Sequence, residues 1–207
     1  MTIKELHDHL YDDITRANPK LFMDQYMANL DLVNNADLTN LEDYAYAMQL
    51  TCDYAIFLEN SGQLKKGLAF LDEAIDMIEH FPNYQKDQLF DVPHYALVLF
   101  HKARAFYHLK FYKDSWQIFD RLLKAFPENE NYRAWISRIK VKRYETGVWT
   151  GLGVMLAAMI LRISFNGRFP LFDQVSYWIL LVALVGTAAF EVVKRIEIRK
   201  LKRMNMF

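Results

Sequence analysis

Three histidines, His94, His101 and His108, recur every seven residues, a spacing that lays imidazoles along one stripe of a continuous helix. A shared metal is excluded by distance. At about 1.5 Å rise per residue, successive members stand roughly 10.5 Å apart, whereas zinc holds its nitrogens at about 2.0–2.1 Å. His7 and His9, two positions apart, face different ways on a helix. Asp12-Asp13, Glu42-Asp43 and Asp72-Glu73 pair carboxylates in sequence, but neighbours on a helix do not converge on one point, so solvated faces are expected. Cys52 is the only cysteine and lacks a local context that would mark an activated thiolate; it excludes an intrachain disulfide and suits a reducing compartment. No Gly-rich phosphate loop, H-E-x-x-H helix or nucleophile elbow is present. These residues do not point to an enzyme, and they call for no cofactor or metal.

The elements that must position these residues are helices. Before Gly147 the apolar residues fall at helical spacing, and no stretch sustains the alternation of a strand. Leu64, Leu68, Leu71, Ile75 and Ile78 share one face, as do Tyr112, Trp116, Phe119, Leu123 and Phe126, and then Tyr132, Trp135, Ile136 and Ile139. Boundaries are expected at Asn18-Pro19, where proline suits a first helical turn, at the capping-box spacing Thr39 to Glu42, and at Gly62, Pro82 and Pro127. About seven helices are expected before the last third of the chain, giving an all-α fold.

That last third carries two apolar stretches, 148–165 and 175–193, each close to the length that crosses a hydrocarbon layer of about 30 Å. The link between them holds Asn166-Gly167 and Pro170, residues suited to a tight turn. A transmembrane helical hairpin is the reading. Gly147, Gly151, Gly153 and Ala157 on the first stretch, and Ala183 and Gly186 on the second, have the small-residue spacings that let membrane helices approach closely, either within one hairpin or between copies in a homo-oligomer. Arg162 and Glu191 lie near the ends, and no ionisable residue sits at the middle of either stretch, which disfavours an ion pathway.

Outside the hairpin lie Arg133, Arg138, Lys140, Lys142 and Arg143 on one side and Lys194, Arg195, Arg199, Lys200, Lys202 and Arg203 on the other, against Arg162 and Arg168 near the link. Basic residues are retained on the cytoplasmic side, so both termini are expected there, in a bacterial inner membrane. The formal net charge is zero, yet residues 1–100 hold 6 Lys+Arg and 17 Asp+Glu, and residues 101–207 hold 19 and 8. The basic half would be drawn to anionic headgroups. Nucleic acid is not expected, since the bases flank apolar spans instead of forming an aromatic-interleaved stripe. No charged segment followed by an apolar run opens the chain, so no secretory leader is expected. The expected domains are 1–146, a hairpin at 147–196 and a basic tail at 197–207.

The soluble part also carries a repeat signature. Leu99, Lys102, Ala103 and Phe106, then Ser115, Phe119 and Pro127, fall at the positions of the tetratricopeptide pattern, with Phe111-Tyr112-Lys113-Asp114 at its turn. Upstream, Thr51, Tyr54, Ala55 and Leu58, then Gly67, Leu71 and Ala74, follow the same order around Ser61-Gly62, with Pro82 three residues late. Residues 41–128 resemble a degenerate tetratricopeptide-repeat domain, with a weaker pair at 3–34 and a capping helix at 132–144. The resemblance implies a groove that binds a protein or peptide partner, lined on the later repeat by Phe100, Arg104, Tyr107 and His108, and on the earlier one by Cys52, Ile56, Glu59 and Asn60. The expected function is a membrane-anchored adaptor that recruits a protein partner. The competing expectations are a membrane-disrupting effector with a helical sensor domain and an accessory subunit of a larger membrane complex.

Overall fold

A computed structural model describes the chain except residues 13, 14, 16, 17, 86, 87, 166–169 and 204–207, and except the side chains of 93, 165 and 170–173. The described residues are all-α: α1 (Ile3–Leu10), α2 (Pro19–Ala28), α3 (Leu30–Asn34), α4 (Leu41–Asn60), α5 (Leu64–Glu79), α6 (Pro93–His108), α7 (Tyr112–Ala125), α8 (Glu130–Phe165) and α9 (Pro170–Arg203). A short 3-10 turn at Leu89–Asp91 precedes α6. The expected Asn166-Gly167 turn and Arg168, like Asp13 of the first carboxylate pair, lie outside the described residues.

Helix starts follow from side chains that satisfy otherwise unpaired backbone N–H groups. Thr2 and Glu5 form a reciprocal capping box on α1, and Asn18 accepts from the Leu21 N–H ahead of Pro19. At α4 the expected Thr39–Glu42 box is replaced. Asn40 is the cap and accepts from the Glu42 N–H at 3.0 Å, because Thr39 is held by Asp37 through both its N–H and its hydroxyl.

The chain forms two compact units, Met1–Phe126 and Pro127–Phe207. In the first, α4 is the central element. Ala47, Leu50, Tyr54 and Leu58 pack in one cluster with Ile3, Leu6, Leu10, Phe22, Tyr26 and Val33 from the N-terminal helices, and the Tyr26 ring stacks on Tyr54 at 4.1 Å. On its other side α4 meets α5 and then α6, which pairs in turn with α7.

The α4–α5 and α6–α7 pairs share one turn. Among the described residues, positive φ occurs at Lys110 (φ 67°) and at Gly62 (φ 81°). They occupy the same place in the two turns. Gly62 donates to the Glu59 carbonyl and Gln63 to that of Leu58; Lys110 donates to the Tyr107 carbonyl and Phe111 to that of Phe106. Beyond the turn both pairs close on small residues. A Cβ on Gly67 would lie 3.6 Å from the Ala55 carbonyl oxygen, and the Ser115 hydroxyl donates to the Ala103 carbonyl at 2.8 Å. One constant offset, 62 to 110, therefore relates turn, cap and contact.

In the second unit α8 and α9 lie side by side in opposite directions. Gly147 faces the Phe190 ring, where a Cβ would come within 3.1 Å, and a Cβ on Gly151 would collide with the Thr187 hydroxyl. The antiparallel pairing brings the basic flank before residue 148 and the one after residue 193 to the same end. Both helices are long and apolar enough to cross a membrane, and in the most apolar window of each only 6% is buried. The expected boundary at 146/147 falls inside the unbroken α8, and the expected 197–207 tail is helical through Arg203. Continuous helix is the physical reason: it satisfies every backbone group along an apolar stretch and meets no proline there.

Gly67 provides a test of the α4–α5 contact. A Cβ there already stands 3.2 Å from the Glu59 backbone nitrogen, so Gly67→Leu is expected to destabilise the first unit by about 1–3 kcal/mol through overpacking. A melt of the detergent-solubilised protein followed by circular dichroism should show this as a lowered first transition; an unchanged one would contradict the close approach.

Candidate functional site

The face of α6 that the repeat resemblance singles out is a graded surface. Phe100, Arg104 and Tyr107 are half-buried, and His108 is exposed. Leu97, not anticipated from sequence, extends this stripe at 43% exposure. Its position three and seven residues before Phe100 and Arg104 is the signal that would have found it. The stripe is braced from beneath. The Phe100 ring meets Phe119 edge-on at 5.9 Å, the Arg104 guanidinium lies over Phe100 at 5.7 Å, and Tyr107 meets Tyr112 at 5.6 Å.

The matching face of α4 is not open. Cys52 is fully buried, Ile56 is 9% exposed and Glu59 is 3% exposed; of the four residues expected there, only Asn60 is exposed. Glu59 is already occupied: its carboxylate is 2.9 Å from His101 Nδ1 and 3.5 Å from Arg104 Nε. The sequence reading offered Glu59 and Ile56 to a partner, whereas the structure places them inside the unit, with Glu59 spent on α6. A carboxylate on a helix pattern reads as surface until a cation from another helix is seen opposite it. Burial pushes the Cys52 thiol up to about 12, so it stays protonated near neutrality.

A second polar knot sits at the other end of α6. Tyr95 donates to Glu79 at 2.5 Å and accepts from Arg121 at 2.6 Å, while Arg121 also lies over the Phe90 ring at 5.3 Å. Together these two knots tie α4, α5, α6 and α7 through side chains. Of the seven-residue histidine series, His101 pairs with Glu59, and no group of three or more metal-ligating side chains occurs among the described residues.

In the second unit the small residues divide. Gly147 and Gly151 sit where α8 and α9 come closest, whereas a Cβ on Gly153 or Gly186 would meet nothing within 4 Å. Gly147, Gly151, Ala183 and Gly186 line a groove of about 650 Å³ with Trp178, Val182 and Phe190. Ala157 lines a smaller hollow of about 260 Å³ with Val154 and Ile179. Gly153 therefore has no part in closing the pair. The wall hydroxyls are satisfied within their own helices, with Thr150 donating to the Thr146 carbonyl at 2.9 Å and Thr187 to the Ala183 carbonyl at 2.7 Å.

No protein-family model matches the chain, and comparison with curated proteins and with solved structures gives no match.

Removing Glu59 would leave the buried His101 Nδ1 without its partner, so Glu59→Ala is expected to lose about 1–3 kcal/mol, the usual cost of an unsatisfied buried polar group; chemical unfolding of the solubilised protein measures it. The Cys52 thiol should resist maleimide in the folded protein at pH 8 and react fully in denaturant, as mass spectrometry would record. Rapid labelling of the native form would show that the buried position is wrong.

Proposed function

We propose that this chain is a membrane-anchored adaptor, with a tetratricopeptide-like helical domain that recruits a protein partner to the cytoplasmic face of a bacterial inner membrane. The observation that carries the anchoring half is the exposure of the long helices: Trp149, Ile163, Trp178 and Val182 are 57–75% exposed, on a surface that water would not leave uncovered. Two antiparallel spans put both basic flanks at one end, and the preference of Lys and Arg for the cytoplasmic side assigns that end, with both termini, to the cytoplasm. Anionic headgroups are the lipid partner this charge favours.

The repeat half rests on the constant offset between the α4–α5 and α6–α7 pairs, since the same turn and the same small-residue contact recur in both. Such repeats use the face of their first helices to hold a peptide or a partner helix. In this chain that surface is the α6 stripe from Leu97 to His108, where an arginine lies over an aromatic ring, a combination rich in binding energy at interfaces.

The test is capture of partners by the detergent-solubilised full-length protein and by a Leu97→Ala, Tyr107→Ala, His108→Ala variant. These changes spare Phe100 and Arg104, which brace the interior, and an unchanged melting curve checks the fold. The expected outcome is loss of at least one partner by about tenfold or more, the size of effect a small cluster of interface anchors supports. Equal recovery of every partner by this variant and by one that adds Arg104→Ala would remove the α6 face from the proposal.

A further inference from the structure

Two cavities of the second unit share Gly147 and Phe190 in their walls, and the chemistry of the lining differs between them. At the end that carries both basic flanks lies a pocket of about 350 Å³ lined by Lys140, Arg143, Tyr144, Gly147 and Phe190. Gly147 and Phe190 also form the near end of the apolar groove of about 650 Å³, which runs on past Gly151, Ala183 and Gly186 to Val154 and Trp178.

The cations at the mouth are not committed elsewhere. Nearby carboxylates are matched within their own helices: Glu145 with Lys142 at 2.8 Å, Glu191 with Lys194 and Arg195, and Glu197 with Lys200 at 2.9 Å. Neither Lys140 nor Arg143 has an ion-pair partner among the described residues. Below them the groove turns apolar, and its threonines donate to carbonyls of their own helices, so its walls ask for hydrocarbon. Its depth is informative too. From Phe190 to Trp178 at about 1.5 Å per residue is roughly 18 Å, close to one leaflet of a hydrocarbon core about 30 Å thick. A helix from a second copy would need the full thickness and has no use for paired cations at one end.

We propose that this site holds one anionic glycerophospholipid, its phosphate between Lys140 and Arg143 and one acyl chain in the groove that opens beside Gly186. The proposal rests on the membrane reading above and goes beyond it: a diffuse attraction of many bases to a charged surface becomes a single site with a headgroup end and a chain end. Tyr144, at the mouth, is a residue type favoured at the membrane–water boundary.

The test uses full-length protein reconstituted in phosphatidylcholine vesicles containing a minor fraction of phosphatidylglycerol, checked by flotation, then gently solubilised for native mass spectrometry. One phosphatidylglycerol per chain should be retained, with about thirtyfold preference over phosphatidylcholine, the scale two nearby bases supply. Lys140→Gln with Arg143→Gln should abolish the preference, while Arg199→Gln with Lys202→Gln should leave it. Gly186→Leu fills open space, so it should fold, float and lose about fivefold or more of the retained lipid. Millimolar inorganic phosphate should not displace it.

Equal retention of both lipids would overturn the proposal, as would equal loss from both double variants, which would mean diffuse attraction only. Displacement by phosphate would reduce the site to an anion pocket. Conversion of a dimer to a monomer by Gly186→Leu with lipid retention unchanged would assign the groove to a second copy. Failure to float would defeat the membrane reading itself, whereas flotation without lipid preference would defeat the lipid site alone.

Discussion

The burial of Glu59 governs the first unit. A carboxylate at 3% exposure is tolerable only where positive and hydrogen-bonding groups meet it, and on α6 His101 and Arg104 do so. That requirement fixes how α4 and α6 align. Sliding one helix past the other by a single turn, about 5.4 Å, would carry the carboxylate beyond both partners and leave it buried alone. Apolar contacts between helices tolerate several registers, because one leucine replaces another with little loss. The charged contact does not, and it therefore supplies alignment where the greasy surfaces around it supply cohesion.

α4 can hold such a group because helices pack against it on several sides. N-terminal helices cover its Leu50–Tyr54–Leu58 face, α5 approaches at the cleared position Gly67, and α6 takes the remaining side. Its opposite number, α6, carries the second polar knot through Tyr95, Glu79 and Arg121. The outer side of α6 is left half-covered from Phe100 to Tyr107. The difference is one of burial: Cys52, Ile56 and Glu59 on α4 are buried, whereas Phe100, Arg104 and Tyr107 at the corresponding places on α6 are half-buried.

Much of this was legible in the residues, and the failures have a common cause. Periodicity located the helices of the first unit and the two long apolar ones, and Asn18-Pro19 marked a helix start because the capping chemistry is local. Gly62 and Ser61 announced a turn for the same reason. Whatever depended on a distant partner was invisible. Glu59, Ile56 and Cys52 looked like a groove because nothing in the α4 sequence tells which neighbour covers which side. Thr39 looked like a cap until Asp37, two residues before it, took its hydrogen bonds. Gly153 looked like a packing glycine beside Gly151, but only the direction of α9 decides which of two neighbouring glycines faces it. At 146 composition changes while the hydrogen-bonded helix Glu130–Phe165 runs on.

The two units solve burial by opposite means, and the contrast argues for two solvents. In the first, large rings are enclosed: Phe22, Tyr26, Tyr54, Tyr95 and Phe119 are all essentially buried, which is how a domain in water gathers apolar area. In the second, large side chains such as Trp149, Ile163, Val182 and Val185 point outward, and contact is made by Gly147, Gly151 and Ala158. Small residues inside and large ones outside is the reverse of a water-soluble core. It is favourable only when the surroundings already welcome the large side chains, since helix association then depends on close backbone approach instead of on removing apolar area from water. The satisfied threonine hydroxyls of this unit agree with that, because a donor left open toward hydrocarbon has no solvent to rescue it. Glu145, Glu191 and Glu197 are paired with bases of their own helix, so Lys140 and Arg143 keep their positive charge at the end where an apolar medium gives way to an aqueous one.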